Sequence, residues 1–111
     1  MAVIEATSRS FDALINTDFA VVDFYAYHCG VCVLLAPHYN EQSNELPLVN
    51  FLKVNIDEEP ELGKRFQIYG LPTVVFFQNG KEIFREMGLR DRAGLDRCMA
   101  RLLYGTEESH G

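Results

Sequence analysis

The segment Val21-Val22-Asp23-Phe24-Tyr25-Ala26-Tyr27-His28-Cys29-Gly30-Val31-Cys32-Val33-Leu34-Leu35 sets two thiols, three residues apart, between an apolar run and a stretch that reads as helix. If residues from Val31 to about Asn44 are helical, positions three apart share a face. Their Cβ atoms then lie roughly 5 to 6 Å apart, and small adjustments allow a disulfide. Such a bridge is a poor staple. Closing a four-residue loop constrains the unfolded chain by about 2 kcal/mol on the chain-entropy account, against about 3 for fifteen residues. A strained, exposed disulfide is the labile kind, suited to being made and broken.

Outward from this segment, period and punctuation divide the chain. Toward the amino terminus a short strand at Val3 to Ala6 precedes a helix at about Arg9 to Asn16, with Phe11, Leu14 and Ile15 on one face. Phe19 to Tyr27 is apolar almost throughout, as in a strand covered on both faces. The helix from Val31 to Leu46 carries Leu34, Leu35 and Tyr39 inward, with a kink expected at Pro37. Strand Leu48 to Asn55 returns parallel to its predecessor, completing a βαβ unit. Asp57 is placed to cap a helix running to about Tyr69, with Glu58, Glu59 and Glu61 at its positive end and Gly70 to terminate it. Strands Thr73 to Phe77 and Glu82 to Glu86 flank the hairpin signal Asn79-Gly80. A last helix, about Arg90 to Leu103, spaces Leu95, Met99 and Leu102 by four and three. The order βαβαββα implies an α/β fold, a mixed five-stranded sheet with helices on both faces.

Composition narrows the function classes. The 111 residues, 48% hydrophobic, suffice for one domain with a core and are too few for two. We expect that domain over residues 1–105 and a frayed tail over 106–111. Sixteen acidic against ten basic residues give a formal charge of −6, with no basic cluster longer than Lys64-Arg65, so a nucleic-acid partner is not expected. No stretch approaches the roughly 18 apolar residues of a membrane span, and the amino terminus lacks the pattern of a signal peptide. The expected location is cytoplasmic, although a secreted protein whose signal peptide had been replaced by Met1 would look the same. Three cysteines cannot all pair within one chain, which argues against a disulfide framework and for thiol chemistry or burial.

Several motifs then fall in one order. They are Val22-Asp23-Phe24-Tyr25-Ala26, the CxxC itself, Leu35-Ala36-Pro37, Lys53-Val54-Asn55-Ile56-Asp57, Gly70-Leu71-Pro72-Thr73, Asn79-Gly80 and Gly88. On these the chain resembles the thioredoxin family over roughly Val3 to Tyr104. The resemblance implies the thioredoxin fold, a five-stranded sheet with four helices, and a protein thiol-disulfide oxidoreductase without a bound cofactor. It also implies protein disulfide substrates, a thioredoxin reductase or another thiol donor as partner, and a monomer.

Site residues follow from chemistry and resemblance together. Cys29, at a helix start, is the expected nucleophile, because the dipole and free N–H groups favour its thiolate. Cys32, one turn inside, is the expected resolving thiol. The competing reading of the pair is half a zinc site, with His28 and His38 near enough in sequence to complete it, and no second CxxC. A carboxylate at Asp23 inside an apolar strand should have a raised pKa. The family places the matching aspartate behind the CxxC as proton acceptor and donor for the buried thiol, and the matching lysine, Lys53, beside it as a tuning group. The plainer readings are an outward-facing Asp23 and a surface Lys53.

The resemblance also makes the Leu71–Pro72 bond cis, against the general preference for trans. It sets Pro72 and Gly88 beside the CxxC and lets Leu71 offer its backbone to an extended substrate. Tyr27, His28, Gly30 and Val31 complete the expected docking surface. Three positions depart from the family. His28 stands where tryptophan is usual, Val31 where proline is usual, and Val33 where lysine is usual. Val31 and a protonated His28 both point to a less reducing couple, and Tyr27, His28, Val31 and Val33 together give an altered docking surface that puts recognition by a thioredoxin reductase in question. Cys98 is expected in the core with Phe51, Phe66, Phe76, Phe77 and Phe84. From another class, the alternative is a thioredoxin-fold binding or chaperone-like module with a drifted site. A third is an oxidant or isomerase in an oxidising compartment.

Overall fold

A computed structural model describes residues 2–105. Its elements are β1 (Val3–Glu5), α1 (Phe11–Ile15), β2 (Phe19–Tyr25), α2 (Gly30–Glu45), β3 (Asn50–Asn55), α3 (Pro60–Arg65), β4 (Thr73–Gln78), β5 (Lys81–Met87) and α4 (Arg92–Tyr104). The full order is therefore βαβαβαββα, with four helices around one sheet, one strand and one helix more than the seven-element order βαβαββα. The strands lie in the order β1-β3-β2-β4-β5. β1, β3 and β2 run parallel, and β4 and β5 are antiparallel to their neighbours. The expected mixed α/β sheet is thus observed. The tail expected at 106–111 lies outside the described residues.

Side chains alternate across a strand, so one sequence run supplies two cores. Val21 and Val74 pack with Leu35 and Tyr39 of α2 and with Leu95, Cys98, Met99 and Leu102 of α4. Val22, Phe24, Leu52, Val54 and Phe77 pack on the opposite face with Phe11 and Ile15 of α1 and Leu62 of α3. There Phe11, Phe24, Phe66 and Phe77 form a cluster of rings with centroids 5.2 to 6.4 Å apart. Cys98 is buried, as expected.

Several boundaries differ from the sequence reading, each for a local reason. α1 begins at Phe11 because Ser10 turns the chain, its Oγ accepting the Thr7 N–H at 3.0 Å. β2 ends at Tyr25, leaving Ala26 and Tyr27 in the following loop, and β3 begins only at Asn50, with Leu48 in solvent. Leu34 is 55% exposed, not inward. It stands about 100° around the helix from Leu35, and the buried stripe is Cys32, Leu35 and Tyr39 at spacings of three and four.

α3 shrinks to six residues, Pro60–Arg65. Asn55 pre-empts the expected start, its Oδ1 accepting the Asp57 and Glu58 N–H groups at 2.8 and 3.3 Å in a side-chain-closed turn. Asp57 therefore caps nothing. Glu59 occupies the cap position but spends its carboxylate on Ser8, and Gln67, at φ +54°, turns the chain three residues before Gly70. The hairpin turn is as read, with Asn79 and Gly80 at φ +53° and +81°, the left-handed pair that a two-residue turn requires. α4 starts at Arg92, where Asp91 accepts the Gly94 N–H at 3.0 Å, and ends on Gly105 in the left-handed region. Phe84 is only partly buried, stacked on Phe76 at 4.5 Å with the Arg101 guanidinium over its other face at 4.1 Å. Phe66, also read as core, is partly buried too. Among the described residues no helix is long and apolar enough to cross a membrane.

Candidate active site

The loop leaving β2 delivers Cys29 to the start of α2 with extended backbone, φ −143° and ψ 101°. A helix start leaves N–H groups without internal acceptors. Here a sulfur supplies one, since the Cys29 Sγ accepts the Cys32 N–H at 3.2 Å. Cys29 and Cys32 are joined in a disulfide with Cα atoms 5.3 Å apart. Their environments differ. Cys32 is 6% exposed on the inward stripe of α2, whereas Cys29 is partly open to solvent. Any disulfide or thiol arriving from solution meets the Cys29 sulfur first.

Asp23 sits on the α2 side of the sheet. It shares a face with Val21 two residues earlier, and that face is covered by Leu35 and Tyr39, one and two turns along from Cys32. The carboxyl is 5% exposed, and its Oδ1 has no hydrogen-bond partner among the described residues. Burial pushes its pKa up to about 7; the Lys53 charge opposes the shift and the Glu5 charge adds to it. Strand register explains who its neighbours are. Glu5 pairs with Lys53, Lys53 with Asp23, and Asp23 with Val74, so these four lie in one row across β1, β3, β2 and β4 on a single face. Lys53 Nζ stands 3.7 Å from Glu5 Oε1 and 5.8 Å from the centroid of the Tyr25 ring. The Tyr25 hydroxyl in turn meets both Glu5 oxygens, at 3.0 and 2.8 Å. Burial and that bond raise the Tyr25 pKa, so it donates as a neutral phenol.

Tyr39 closes the floor. Its hydroxyl reaches the carbonyl oxygens of Leu52 at 2.6 Å and Val21 at 3.1 Å, fastening α2 to β3 and β2 beside Asp23. Burial holds this phenol well above the usual range as well.

The rim gathers from strand ends. Phe24 pairs with Thr73, which sets Pro72 opposite the end of β2 that leads into the cysteine loop. The Leu71–Pro72 bond is cis. Pro72 is buried, and its carbonyl accepts the Gly88 N–H at 2.8 Å, with Gly88 at φ +85°. The Thr73 hydroxyl donates to the Gly70 carbonyl at 2.6 Å, closing the turn that presents Leu71. Met87 packs directly on Gly70, where a Cβ would collide with its sulfur. On the other side Tyr27 is exposed, with its N–H donated to Asp57 Oδ2 at 3.0 Å and its hydroxyl bonded to the Glu58 carboxylate. His28 and Gly30 are exposed and Val31 is half-buried. His38 faces Glu41 at 3.9 Å, one turn along α2.

The sequence-derived set thus converges on one end of the sheet. Glu5 and Tyr25 were missed. Tyr25 carried a usable signal, two residues from Asp23 and hence on its face, but Glu5 joins the cluster only through the β1–β3 register, which no local pattern supplies.

Comparison with known proteins agrees with this geometry. The Thioredoxin family model matches residues 2–101. The thioredoxin of Chlamydia pneumoniae is 36% identical over 86 residues, covering 78% of this chain and 84% of that protein. A probable protein disulfide-isomerase A4 of Caenorhabditis elegans is 42% identical over 94 residues, 84% of this chain but 15% of that protein. Among solved structures, the thioredoxin of Malassezia sympodialis superposes with a TM-score of 0.83 at 28% identity, covering 92% of this chain and 94% of the other. With a CxxC pair already joined at the head of α2 and the same fold along nearly its whole described length, the chain belongs to the thioredoxin family of thiol-disulfide oxidoreductases.

Proposed function

We propose that the protein reduces protein disulfides through Cys29 as nucleophile and Cys32 as resolving thiol, with Asp23 as the proton acceptor for Cys32. The observation that carries this reading is the asymmetry of the pair: an accessible sulfur at a helix N-cap, and a buried one on the helix stripe that covers a buried carboxyl whose Oδ1 has no partner among the described residues. In the reduced state the Cys29 sulfur becomes a thiolate held by the helix start. It attacks one sulfur of the substrate disulfide. A Cys29–substrate bond forms, the substrate S–S bond breaks, and the second substrate sulfur leaves with the electron pair and takes a proton. Cys32 then gives its proton to the Asp23 carboxylate and attacks Cys29 Sγ. The Cys29–Cys32 bond forms, the mixed disulfide breaks, and the substrate departs reduced by the two electrons the dithiol has lost.

Lys53 tunes Asp23 by favouring its ionised form. Tyr27, His28, Gly30, Val31, Leu71, Pro72 and Gly88 form the docking surface, and the Leu71 backbone pairs with an extended substrate segment, which carries little sequence selectivity. Regeneration falls to an external thiol donor such as a thioredoxin reductase, with the protein acting as a monomer in the cytoplasm.

Turnover of insulin disulfides by the reduced protein tests this, and Asp23→Asn should slow it at neutral pH while Cys29 still alkylates quickly. Inactivity with every reductant would leave the binding-module reading. A second direction, net oxidation or isomerisation, is favoured by Val31 between the cysteines and by the similarity to a domain-sized part of the probable protein disulfide-isomerase. Equilibration of the couple against glutathione decides between them, because about 30 mV corresponds to a tenfold change.

A further inference from the structure

Asp23 and Lys53 are register partners on adjacent strands, yet among the described residues the ion pair that Lys53 makes is with Glu5, at 3.7 Å. We propose that Glu5 is a positioning residue for the dithiol reaction: it holds the Lys53 ammonium on the edge-strand side of the row, so that the Asp23 carboxyl keeps the proton it exchanges with Cys32. This rests on the role given to Asp23 above.

Glu5 is suited to the task because it is fixed. An exposed Glu–Lys pair is ordinarily loose and worth little. Here the Tyr25 hydroxyl grips both oxygens of Glu5, at 3.0 and 2.8 Å, and the Tyr25 ring lies beneath the ammonium at 5.8 Å. The result is a three-member clasp along β1, β2 and β3, and the Asp23 Oδ1 has no partner among the described residues.

The surroundings leave few rivals for this control. In its row and on its face are Lys53 from β3, Glu5 from β1 beyond it and Tyr25 on its own strand, with Tyr39 of α2 in the apolar cluster that covers this face and Cys32 on the same buried stripe of α2 as Tyr39. Cys98 of α4 belongs to the same cluster. β4 offers only the apolar Val74, with Glu86 of β5 one strand farther in the row. α1 and α3 lie on the opposite face. Lys53 is its register partner and the cation whose charge bears on it, and Glu5 is the anion that directs that cation. Neutralising Glu5 removes a negative charge from the row and frees the ammonium to approach Asp23. Both changes favour ionised Asp23.

The test follows the Asp23 carboxyl by carbon NMR titration, in parallel with the pH profile of disulfide reduction, for the parent, Glu5→Gln, Lys53→Met and the double variant. In Glu5→Gln the titration midpoint and the acidic limb of the rate profile should both move down by roughly half a pH unit, a fraction of what one close charge can do. In the Lys53→Met background the Glu5→Gln shift should shrink to less than half that size. Glu5→Asp should return part of the parent midpoint. An unmoved midpoint in Glu5→Gln, or an equal shift in both backgrounds, overturns the proposal. Asp23→Asn separates the two readings. If the acidic limb persists in that variant, the proton role of Asp23 fails; if the limb vanishes there yet ignores Glu5→Gln, only the Glu5 inference fails.

Discussion

The two faces of the central sheet are drawn from the same strands, residue by residue in alternation, and they hold opposite kinds of chemistry. Toward α1 and α3 the strands present hydrocarbon and rings, with Phe11, Phe24, Phe66 and Phe77 in mutual contact. Toward α2 and α4 the same strands set Asp23 into an apolar core, with the half-exposed Glu5 and Lys53 beside it in one row and the buried Cys32 on the facing helix. Val22 and Phe24 face one way and Asp23, between them, faces the other. One face supplies cohesion, and the other accepts an electrostatic cost because proton transfer needs it.

Substitutions on the two faces should therefore fail in different ways. The largest effect on chemistry is expected for Cys29→Ser, which should bring disulfide reduction to background in an insulin assay while the far-UV spectrum and melting of the reduced protein stay near the parent's. On the aromatic face, Phe24→Ala should cost about 3 to 5 kcal/mol in urea unfolding. The fraction that remains folded should reduce disulfides at the parent rate. A parallel loss of specific activity would erase the division between the faces.

Asp23→Asn should do the reverse, raising stability and lowering activity. The native state raises this carboxyl to about 7 from its ordinary acidic range, so between about pH 4 and 7 the folded protein binds more protons than the unfolded chain and stability falls as pH rises. Removing the ionisable group should stabilise the oxidised protein at pH 8 on the order of 4 kcal/mol, with the gain fading to nothing near pH 4. Denaturant midpoints across that range check it, and a gain independent of pH would locate the effect elsewhere.

Two smaller changes sharpen the rim. Val31→Pro lies in the first turn of α2, where N–H groups lack intrahelical acceptors and proline is tolerated. It should lower the potential of the couple by roughly 30 mV or more, equivalent to about 1.4 kcal/mol, as read by glutathione equilibration. Gly70→Ala forces the Met87 side chain aside. Because a thioether is flexible, the cost should be about 1 kcal/mol in stability. The change should appear in KM for a protein substrate more than in kcat.

What the sequence made legible was whatever depends on nearest neighbours. The CxxC at a helix start, the Asn79-Gly80 turn and the apolar β2 all follow from short-range rules, and all are present. The misread helix at Asp57 shows the limit of those rules. Asn55 and Asp57 are both competent to close a turn, and only tertiary placement, with Asp57 drawn to the Tyr27 N–H, decides which one acts. Leu34 was misassigned by one position around a helix whose apolar residues are nearly continuous there, so that pattern alone could not fix the buried stripe. Glu5 was invisible for a different reason. Its neighbours come from strands 18 and 48 residues away in sequence, through Asp23 and Lys53, and the register that joins them is a property of the assembled sheet.

That register has a consequence for quality control. Slipping β2 by one residue against β3 would turn Asp23 in among the phenylalanine rings and carry Val22 and Phe24 to the thiol side. Such a molecule would lose its proton acceptor and its hydrophobic cohesion in a single step. No misaligned population could pass unnoticed as active protein, and the specific activity of a refolded sample would count the chains whose strands have found their native alignment.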